Sequence, residues 1–477
     1  MKYYFMGVCG TAMGNAAMLL REQGHEVVGS DSGIYPPMST VLQQAGIRMY
    51  DGFSDSNLRD AQPDLVVVGN AISRGNPEVE WLLESRSFPL ISLPQMLAEG
   101  ILCQRRNLVV SGTHGKTTTT TLAATLLCSG GRDPGWLIGG VPLDLPSGSH
   151  LGCESEPFAI EGDEYDSAFF DKRSKFIHYQ PNVLILNNLE FDHGDIFRDL
   201  TDVKRTFSHL LRVIPRNGHV LLNGDDDNVQ SLLPIPWTNV HKVGTGDTND
   251  LRIVNFSEGP SGSQFRLVWK GDDWGDISWR MTGEFNARNA AMALRAAMFA
   301  LDLKHPTPEI IDALENFGGV KRRQETLLEM GGIIVMEDFA HHPTALAGTL
   351  NSFRNRFPKS SIVACFEPRS NTATTNVFQR DFTNALSNAD EILLGAVHRG
   401  EKISDEERLD TAAMVTELKS RGRTAHAFSA NSQLLAYIRD HFSPQSGDPV
   451  LICFFSNGGF DGVPASYVSG LKSDVCC

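Results

Sequence analysis

Ser111-Gly112-Thr113-His114-Gly115-Lys116-Thr117-Thr118 is the stretch on which the reading of this chain turns. It follows an apolar, strand-like run, Leu108-Val109-Val110, and leads into a Thr/Ala/Leu run from Thr118 to Leu127 that suits a helix. A strand, a glycine turn and a helix N-terminus form a phosphate cradle, because backbone N–H groups point at the anion and the helix dipole favours its charge. In such a cradle Lys116 reaches the β- and γ-phosphates and the Thr117 hydroxyl holds Mg2+. The usual spacing is G-x-x-x-x-G-K-[ST], whereas here only Thr113 and His114 separate the two glycines. The alternative is a plain glycine turn before a core helix. Gly-Lys-Thr directly after a strand favours a bound nucleoside triphosphate.

Working outward, 477 residues at roughly 150 per domain predict three domains, each large enough for its own core. The formal charge of −15 argues against broad binding to nucleic acid or a membrane surface. Eight cysteines are scattered without a C-x-x-C pair or zinc spacing, and Cys476-Cys477 read as a tail. That usage fits free thiols in a reducing cytoplasm. With no basic, apolar leader at Met1 and no run long enough to span a bilayer, the expectation is a soluble cytoplasmic protein.

Strand-like runs alternate with amphipathic, helix-like stretches, which predicts α/β architecture with parallel sheets. In the first unit Lys2 to Met6 reads as a strand, Gly7 to Gly14 as a glycine turn, Asn15 to Gln23 as a helix, and Glu26 to Gly29 as a second strand ending at Ser30-Asp31. Asp64 to Gly69 reads as a further strand. The middle unit has a strand at Val183 to Leu186, a loop-rich region around Gly244 to Gly275 with β-like alternation, as at Phe265 to Trp269, and an alanine-rich helix at Asn289 to Ala300. In the last unit strands are expected at Ile333–Met336, Ile362–Phe366, Ile392–Leu394 and Val450–Phe455, covered by helices at Thr344–Arg356, Glu406–Arg421 and Ser432–His441.

Several clusters carry chemistry. Gly7, Gly10 and Gly14 follow a strand, and Asp31 ends the next one, where an acid can bond a ribose. The spacing G-x-x-G-x-x-x-G leaves NAD, another nucleotide or plain packing open. Glu161-Gly162-Asp163-Glu164-Tyr165-Asp166 places carboxylates, hard ligands for Mg2+, at a strand end; the alternative is a solvated acidic loop. Asn187-Asn188-Leu189-Glu190-Phe191-Asp192-His193 follows the next apolar strand, and a metal or nucleotide role competes there with a structural histidine. In Gly283-Glu284-Phe285-Asn286-Ala287-Arg288-Asn289 the amides suit an adenine edge, or Asn289 is an N-cap. Arg322-Arg323 reads as a phosphate contact or a solvated face. Asp338, His341 and His342 suggest zinc only weakly, since adjacent histidines rarely share one ion.

Taken together and in this order, these motifs resemble the Mur ligase family, cytoplasmic ATP-dependent amide-bond ligases of bacterial peptidoglycan synthesis, over essentially the whole chain. The short Gly-Thr-x-Gly-Lys-Thr spacing is that family's own form. The first glycine turn is similar to that of the UDP-N-acetylmuramate-using members, where it serves the UDP-sugar rather than NAD. Tyr35-Pro-Pro-Met-Ser-Thr40, Gly69-Asn-Ala-Ile-Ser-Arg-Gly-Asn-Pro77, Glu164 to Arg173, Phe366 to Thr372 and Ser456 to Phe460 resemble members that attach a preformed tripeptide during peptidoglycan recycling.

The resemblance implies three α/β domains: a Rossmann-like N-terminal domain at 1–106 for UDP-N-acetylmuramate, a central P-loop ATPase domain at 107–325, and a Rossmann-like C-terminal domain at 326–477 for the incoming peptide. It implies ATP and Mg2+ as cofactors and ligation of UDP-N-acetylmuramate to L-Ala-γ-D-Glu-meso-diaminopimelate through an acyl phosphate. By resemblance Lys116, Glu161 and His193 are catalytic, and Thr117, Glu161 and His193 hold metal. Gly112, Thr113, His114, Gly115, Lys116, Thr117 and Thr118 cradle the phosphates; Asn286 and Asn289 face adenine, Arg323 the phosphates and Asp338 the ribose. Gly10, Thr11, Met13, Gly14, Asp31 and Ser73 are expected at the UDP-sugar. Arg369, Ser370, Asn371, Asn457 and Gly458 are expected at the peptide, whose carboxylates suit the fork of an arginine. The expected partners are UDP-N-acetylmuramate and muropeptide substrates, without nucleic acid or membrane, for a monomer or weak homo-oligomer. The alternatives are a ligase adding free L-alanine, a non-catalytic nucleotide-sugar-binding protein, and an NAD-linked oxidoreductase that leaves the phosphate loop unexplained.

Overall fold

A computed structural model describes residues 1–35, 38–444 and 449–474. Pro36-Pro37 of the Tyr35–Thr40 motif and the terminal Cys476-Cys477 lie outside the described residues. Three α/β sheets follow one another along the chain. The first has five parallel strands in the order Arg48–Asp51, Glu26–Asp31, Lys2–Met6, Leu65–Val68, Leu90–Ser92, the order of a doubly wound fold that reverses direction beside its first strand. The second has ten strands. Its parallel centre runs Asn239–Gly244, His219–Asn223, Val183–Leu186, Asn107–Ser111, Phe158–Gly162, Gly135–Leu137. The third has six strands, with Glu325–Met330 antiparallel at one edge. Parallel order continues through Ile333–Asp338, Val450–Phe455, Ser361–Phe366, Glu391–Leu394 and Thr424–Ala427.

The central strands are apolar throughout because both faces are covered. Leu108 and Val110 pack with the helices Lys116–Cys128 and Glu284–Ala300, whereas Val109 and Leu184 face Phe207 of the helix Leu200–Arg212. That second apolar layer continues to Tyr3, Phe5 and Leu20, so the first and second sheets share a core. The third sheet has its own two layers. Among the described residues no helix is long and apolar enough to cross a membrane.

Several local expectations are corrected. The first helix begins at Thr11, inside the expected glycine turn, with Gly10 as its N-cap. Gly14 is therefore helical, and a Cβ there would lie 2.3 Å from Met38 Sδ, so its role is close packing. The expected loop-rich region is an antiparallel meander, Leu251–Gly259, Gly262–Trp269 and Asp272–Trp279, whose alternate residues Ile253, Phe265, Leu267 and Ile277 are buried. The alanine-rich helix starts at Glu284 behind Gly283, which excludes Asn289 as its N-cap. The helix expected from Glu406 starts at Thr411, where the Asp410 carboxylate accepts from Ala413 N–H. Strands Glu325–Met330 and Thr424–Ala427, and helices Gln379–Leu386 and Val463–Asp474, were not expected.

Candidate active site

The second and third sheets present the carboxyl ends of their strands to a common cleft, where ligands of open α/β sheets bind. The phosphate loop leaves Asn107–Ser111 and enters the helix Lys116–Cys128 through Gly115 at φ 81°. A Cβ on Gly115 would lie 3.0 Å from Asn187 Nδ2 and 3.1 Å from Asn289 Oδ1, so the loop is pressed onto its supports. Thr113 N–H donates to Asn188 O at 3.1 Å and His114 N–H to Asn188 Oδ1 at 2.7 Å. These bonds leave the first helical turn, including Thr117 and Thr118, to offer its N–H groups to an anion. Thr117 Oγ1 lies 3.3 Å from Glu161 Oε2 and 3.3 Å from Arg323 Nη2, which arrives from the stretch before the third sheet. Burial pushes the Glu161 carboxyl above its usual range, against a 2.7 Å bond from Gly139 N–H and the charges of Arg323 and Lys116.

Behind the loop a chain of charge runs from Lys116 through Glu164 to His193. Lys116 Nζ donates to Gly112 O at 2.9 Å and to Glu164 Oε2 at 2.7 Å, while Glu164 Oε1 lies 3.1 Å from His193 Nε2. Burial opposes each charge, but the partners outweigh it: Lys116 and His193 are held above their usual values and Glu164 below its own. The second imidazole nitrogen, Nδ1, meets Tyr165 Oη at 2.8 Å. In the sequence Glu164 and Tyr165 are visible as part of the acidic motif, without a site role of their own. The signal was their place directly beyond an apolar strand.

The third unit closes on this edge. Glu190 meets His114 Nε2 at 2.7 Å and His342 Nδ1 at 3.3 Å and accepts from Thr344 Oγ1 at 2.7 Å. Thr372 Oγ1 donates to Asp192 Oδ1 at 2.8 Å. Burial pushes the Glu190 carboxyl up, but His114, His342 and Thr344 outweigh it and bring it down to about 2. Burial brings both His341 and His342 down to about 4. The two rings diverge, His341 toward Asp192 at 3.7 Å and His342 toward Glu190, so the adjacent pair does not converge on one ion. His114, Glu190 and His342 do offer ligand atoms within 4.8 Å of one another, bound here as a hydrogen-bonded cluster.

The other expected nucleotide residues are gathered at the same place. Asn286 Nδ2 donates to Thr282 O at 2.8 Å, and Asn289 bonds Asn286 and Asn187, both at 3.3 Å, beneath the loop. Asp338 accepts from the backbone N–H groups of Gln324 and Ala340 at 2.8 Å each, and the side-chain Nε2 of Gln324 is buried without a partner. Arg322 is tied to Glu337 at 2.7 Å and to the carbonyls of Ser456 and Gly458. Beyond His193 lies a cavity of about 430 Å3, walled by Tyr165 and His341 on one side and by Arg369, Ser370, Asn371 and Asn457 on the other. The Asn457 side-chain oxygen, Oδ1, is buried without a partner. Gly458 lies under the Arg369 guanidinium, 2.0 Å from where a Cβ would stand.

In the first unit Asp31 accepts from Cys9 N–H at 2.8 Å and Gly33 N–H at 3.0 Å, bracing the turn that ends in Gly10. Thr11 and Met13 stand in the first turn of the helix, whose N–H groups are available. Ser73 is exposed on the loop after Leu65–Val68, next to Ile72, which packs on Gly7. This unit contacts the second through Asn15 Nδ2, 3.3 Å from Ile138 O, and Glu22, which accepts from Leu151 N–H at 2.7 Å.

With this geometry in view, the comparisons with known proteins agree along the chain. Residues 2–104 match the Mur ligase family catalytic domain, 110–297 the Mur ligase middle domain, and 322–453 the Mur ligase glutamate ligase domain. The chain is 40% identical over 475 residues to the UDP-N-acetylmuramate–L-alanyl-γ-D-glutamyl-meso-2,6-diaminoheptandioate ligase of Escherichia coli (strain K12), covering 99% of this chain and 98% of that protein. It is 32% identical over 398 residues to the UDP-N-acetylmuramate–L-alanine ligase of Clostridium acetobutylicum, with 83% of each covered. The crystal structure of a murein peptide ligase from Psychrobacter arcticus superposes with a TM-score of 0.72 at 35% identity, over 99% of this chain and 98% of that one. A chain matched by family domains along nearly its whole length, and by so similar a relative from end to end, belongs to the Mur ligase family.

Proposed function

We propose that this chain is an ATP-dependent ligase that joins the lactyl carboxylate of UDP-N-acetylmuramate to the α-amine of L-Ala-γ-D-Glu-meso-diaminopimelate. The observation that carries the reading is the junction of two features: the Lys116–Glu164–His193 chain opens directly into a cavity whose far wall holds Arg369 and an unpartnered Asn457 oxygen. A phosphate site and a peptide site thus share one edge. The carboxylate is a poor electrophile until it takes the γ-phosphoryl group of ATP; the amine then attacks the acyl carbon, and phosphate leaves. Catalysis is mostly positioning and charge stabilisation. Lys116 holds the β- and γ-phosphates, Arg323 neutralises charge beside Thr117, Asn286 and Asp338 serve the nucleoside, and Asn289 braces the loop.

Thr117 and Glu161 fit Mg2+. They are hard oxygen donors 3.3 Å apart, against about 3 Å between neighbouring ligands of an octahedral cation at 2.0–2.1 Å. Mg2+ supplies charge neutralisation at the phosphates. His193 is a candidate for a second ion, for which its ring must exchange its bonds to Glu164 and Tyr165. Residues 1–106, with Gly10, Thr11 and Met13 at the first helix N-terminus and Ser73 on the loop after Leu65–Val68, take the UDP-sugar; 107–325 take ATP; 326–477 take the peptide.

The test is phosphate release with ATP, Mg2+ and UDP-N-acetylmuramate, comparing L-alanine with the tripeptide. Release with tripeptide alone, plus a product of summed mass less water, is expected. Release with L-alanine alone would replace this reading with that of the L-alanine-adding ligase.

A further inference from the structure

The cavity beyond His193 has a second tier that no motif announced. Its mouth is formed by His398, Arg399 and Lys402, from the segment after Glu391–Leu394, the strand next to the one that leads to Arg369. The two segments are tied backbone to backbone, His398 N–H donating to Pro368 O at 2.9 Å. Arg399, at φ 52°, caps the turn Gly400–Lys402, and Lys402 N–H donates to Arg399 O at 2.9 Å. Arg408 Nη1 donates to Gly400 O at 3.2 Å and fixes the turn from behind. Two cations are thus carried to one rim by a short, braced turn.

Their environment differs from that of Arg369. Arg369 lies deeper, its guanidinium 3.5 Å from the buried Glu367 carboxylate and packed over Gly458. Among the described residues neither Arg399 nor Lys402 has an ion-pair or side-chain hydrogen-bond partner, although nearby Arg408 is paired with Asp405 at 2.5 Å. In a chain of net charge −15, two unpaired cations at the mouth of a reaction cavity form a local field for anions.

We propose that Arg399 and Lys402 select the acceptor by its length and charge, binding the carboxylates of the diaminopimelate end while Arg369 takes the inner D-glutamyl α-carboxylate. This rests on the ligase reading above. The acceptor amine must lie at the His193 end, where the acyl group forms. A tripeptide then runs outward at about 3.3–3.6 Å per α-linked residue and further across the γ-linked D-glutamate, more than about 10 Å in all. It carries one free carboxylate at D-glutamate and two at diaminopimelate, a sequence that matches one deep cation followed by two at the rim. Free L-alanine has one carboxylate beside its amine and reaches Arg369 at most.

The experiment is steady-state ligation by the full-length chain with L-Ala-D-Glu, the diaminopimelate tripeptide, and a tripeptide with L-lysine in place of diaminopimelate. It compares wild type with Arg399→Ala, Lys402→Ala and the double variant, and with Arg399→Lys as the conservative rescue. For the double variant the tripeptide KM is expected to rise about ten-fold, equivalent to about 1.4 kcal/mol for the two exposed charge pairs together. The KM for ATP and for UDP-N-acetylmuramate should stay put, which also reports that the variant is folded. The preference for diaminopimelate over lysine and over dipeptide should collapse, and should weaken with added salt only when the cations are present. Unchanged acceptor preferences in the double variant would overturn the proposal alone. A wild-type chain that ligates none of the acceptors would overturn the ligase reading, and this proposal with it.

Discussion

Glu190 is where the closed arrangement of the second and third sheets can be tested. It belongs to the middle unit, yet two of its three side-chain partners, His342 and Thr344, begin the first helix of the last unit. The third, His114, sits in the phosphate loop. In Glu190→Gln the negative charge goes and the shape stays. The size of the effect follows in two steps. A carboxyl brought from 4.5 down to about 2 corresponds to roughly 3 kcal/mol, an order-of-magnitude figure for a group about one-quarter exposed. Only part of this bears on closure, because His114 belongs to the same unit as Glu190: with His342 kept uncharged by burial at neutral pH, what crosses to the last unit is the charge-assisted bond from Thr344, about 1.5–3 kcal/mol. Because the native carboxyl is depressed, this stabilisation is present above pH 4.5 and is lost as pH falls toward about 2. Distance labels on Asp272→Cys and Lys419→Cys, with exposed Cys103 and Cys153 and the terminal Cys476 and Cys477 replaced by serine, report closure by energy transfer. The substitution should shift the open/closed ratio toward open by on the order of 10-fold at pH 7. Wild type should approach the variant's distribution as pH drops below 4.5. Identical transfer efficiencies and identical pH responses in the two proteins would refute the reasoning.

Three further outcomes are expected. Lys116→Ala should abolish ATP-dependent ligation yet bind UDP-N-acetylmuramate with wild-type affinity by calorimetry; near-normal turnover would remove the phosphate-loop assignment. Gly458→Ala places a Cβ 2.0 Å from Arg369 Nε and should raise the peptide KM at least ten-fold, leaving the ATP KM unchanged, because a displaced guanidinium forfeits its bidentate bond. An unaltered peptide KM would take Arg369 out of the site. Glu78 is fully buried and accepts from Tyr4 Oη and Ser30 Oγ at 2.7 Å each, so Glu78→Ala strands two buried hydroxyls. It should cost the first unit about 3 kcal/mol, and a urea transition coincident with wild type would contradict that.

What was legible in the sequence was whatever one segment encodes by itself. Leu108-Val109-Val110 and Val183 to Leu186 read as buried parallel strands because both faces are covered, and Lys116 and Glu161 were readable because each directly follows or ends such a strand. Residues whose role comes from a distant partner were hidden. Glu164 matters because it lies between Lys116 and His193, contacts separated by 48 and 29 positions. Glu190 matters through Thr344, 154 positions away. Glycine was misread for the same reason: Gly14 looked like part of a turn, but its missing side chain makes room for Met38 across a helix interface. The meander at Leu251–Trp279 was obscured because only one face of its strands is buried, so half of each strand is polar and mimics a loop. Arg399 and Lys402 were the least visible, lying among exposed residues with no pattern of their own. The bonds from Gly395 N–H to Phe366 O and from His398 N–H to Pro368 O, which tie two neighbouring strand ends together, place them beside Arg369 on the rim of one cavity. Local pattern therefore specifies the layers and the phosphate loop, while the placement of Arg399 and Lys402 on which the proposed acceptor selectivity rests follows from strand order and becomes readable only once the third sheet is assembled.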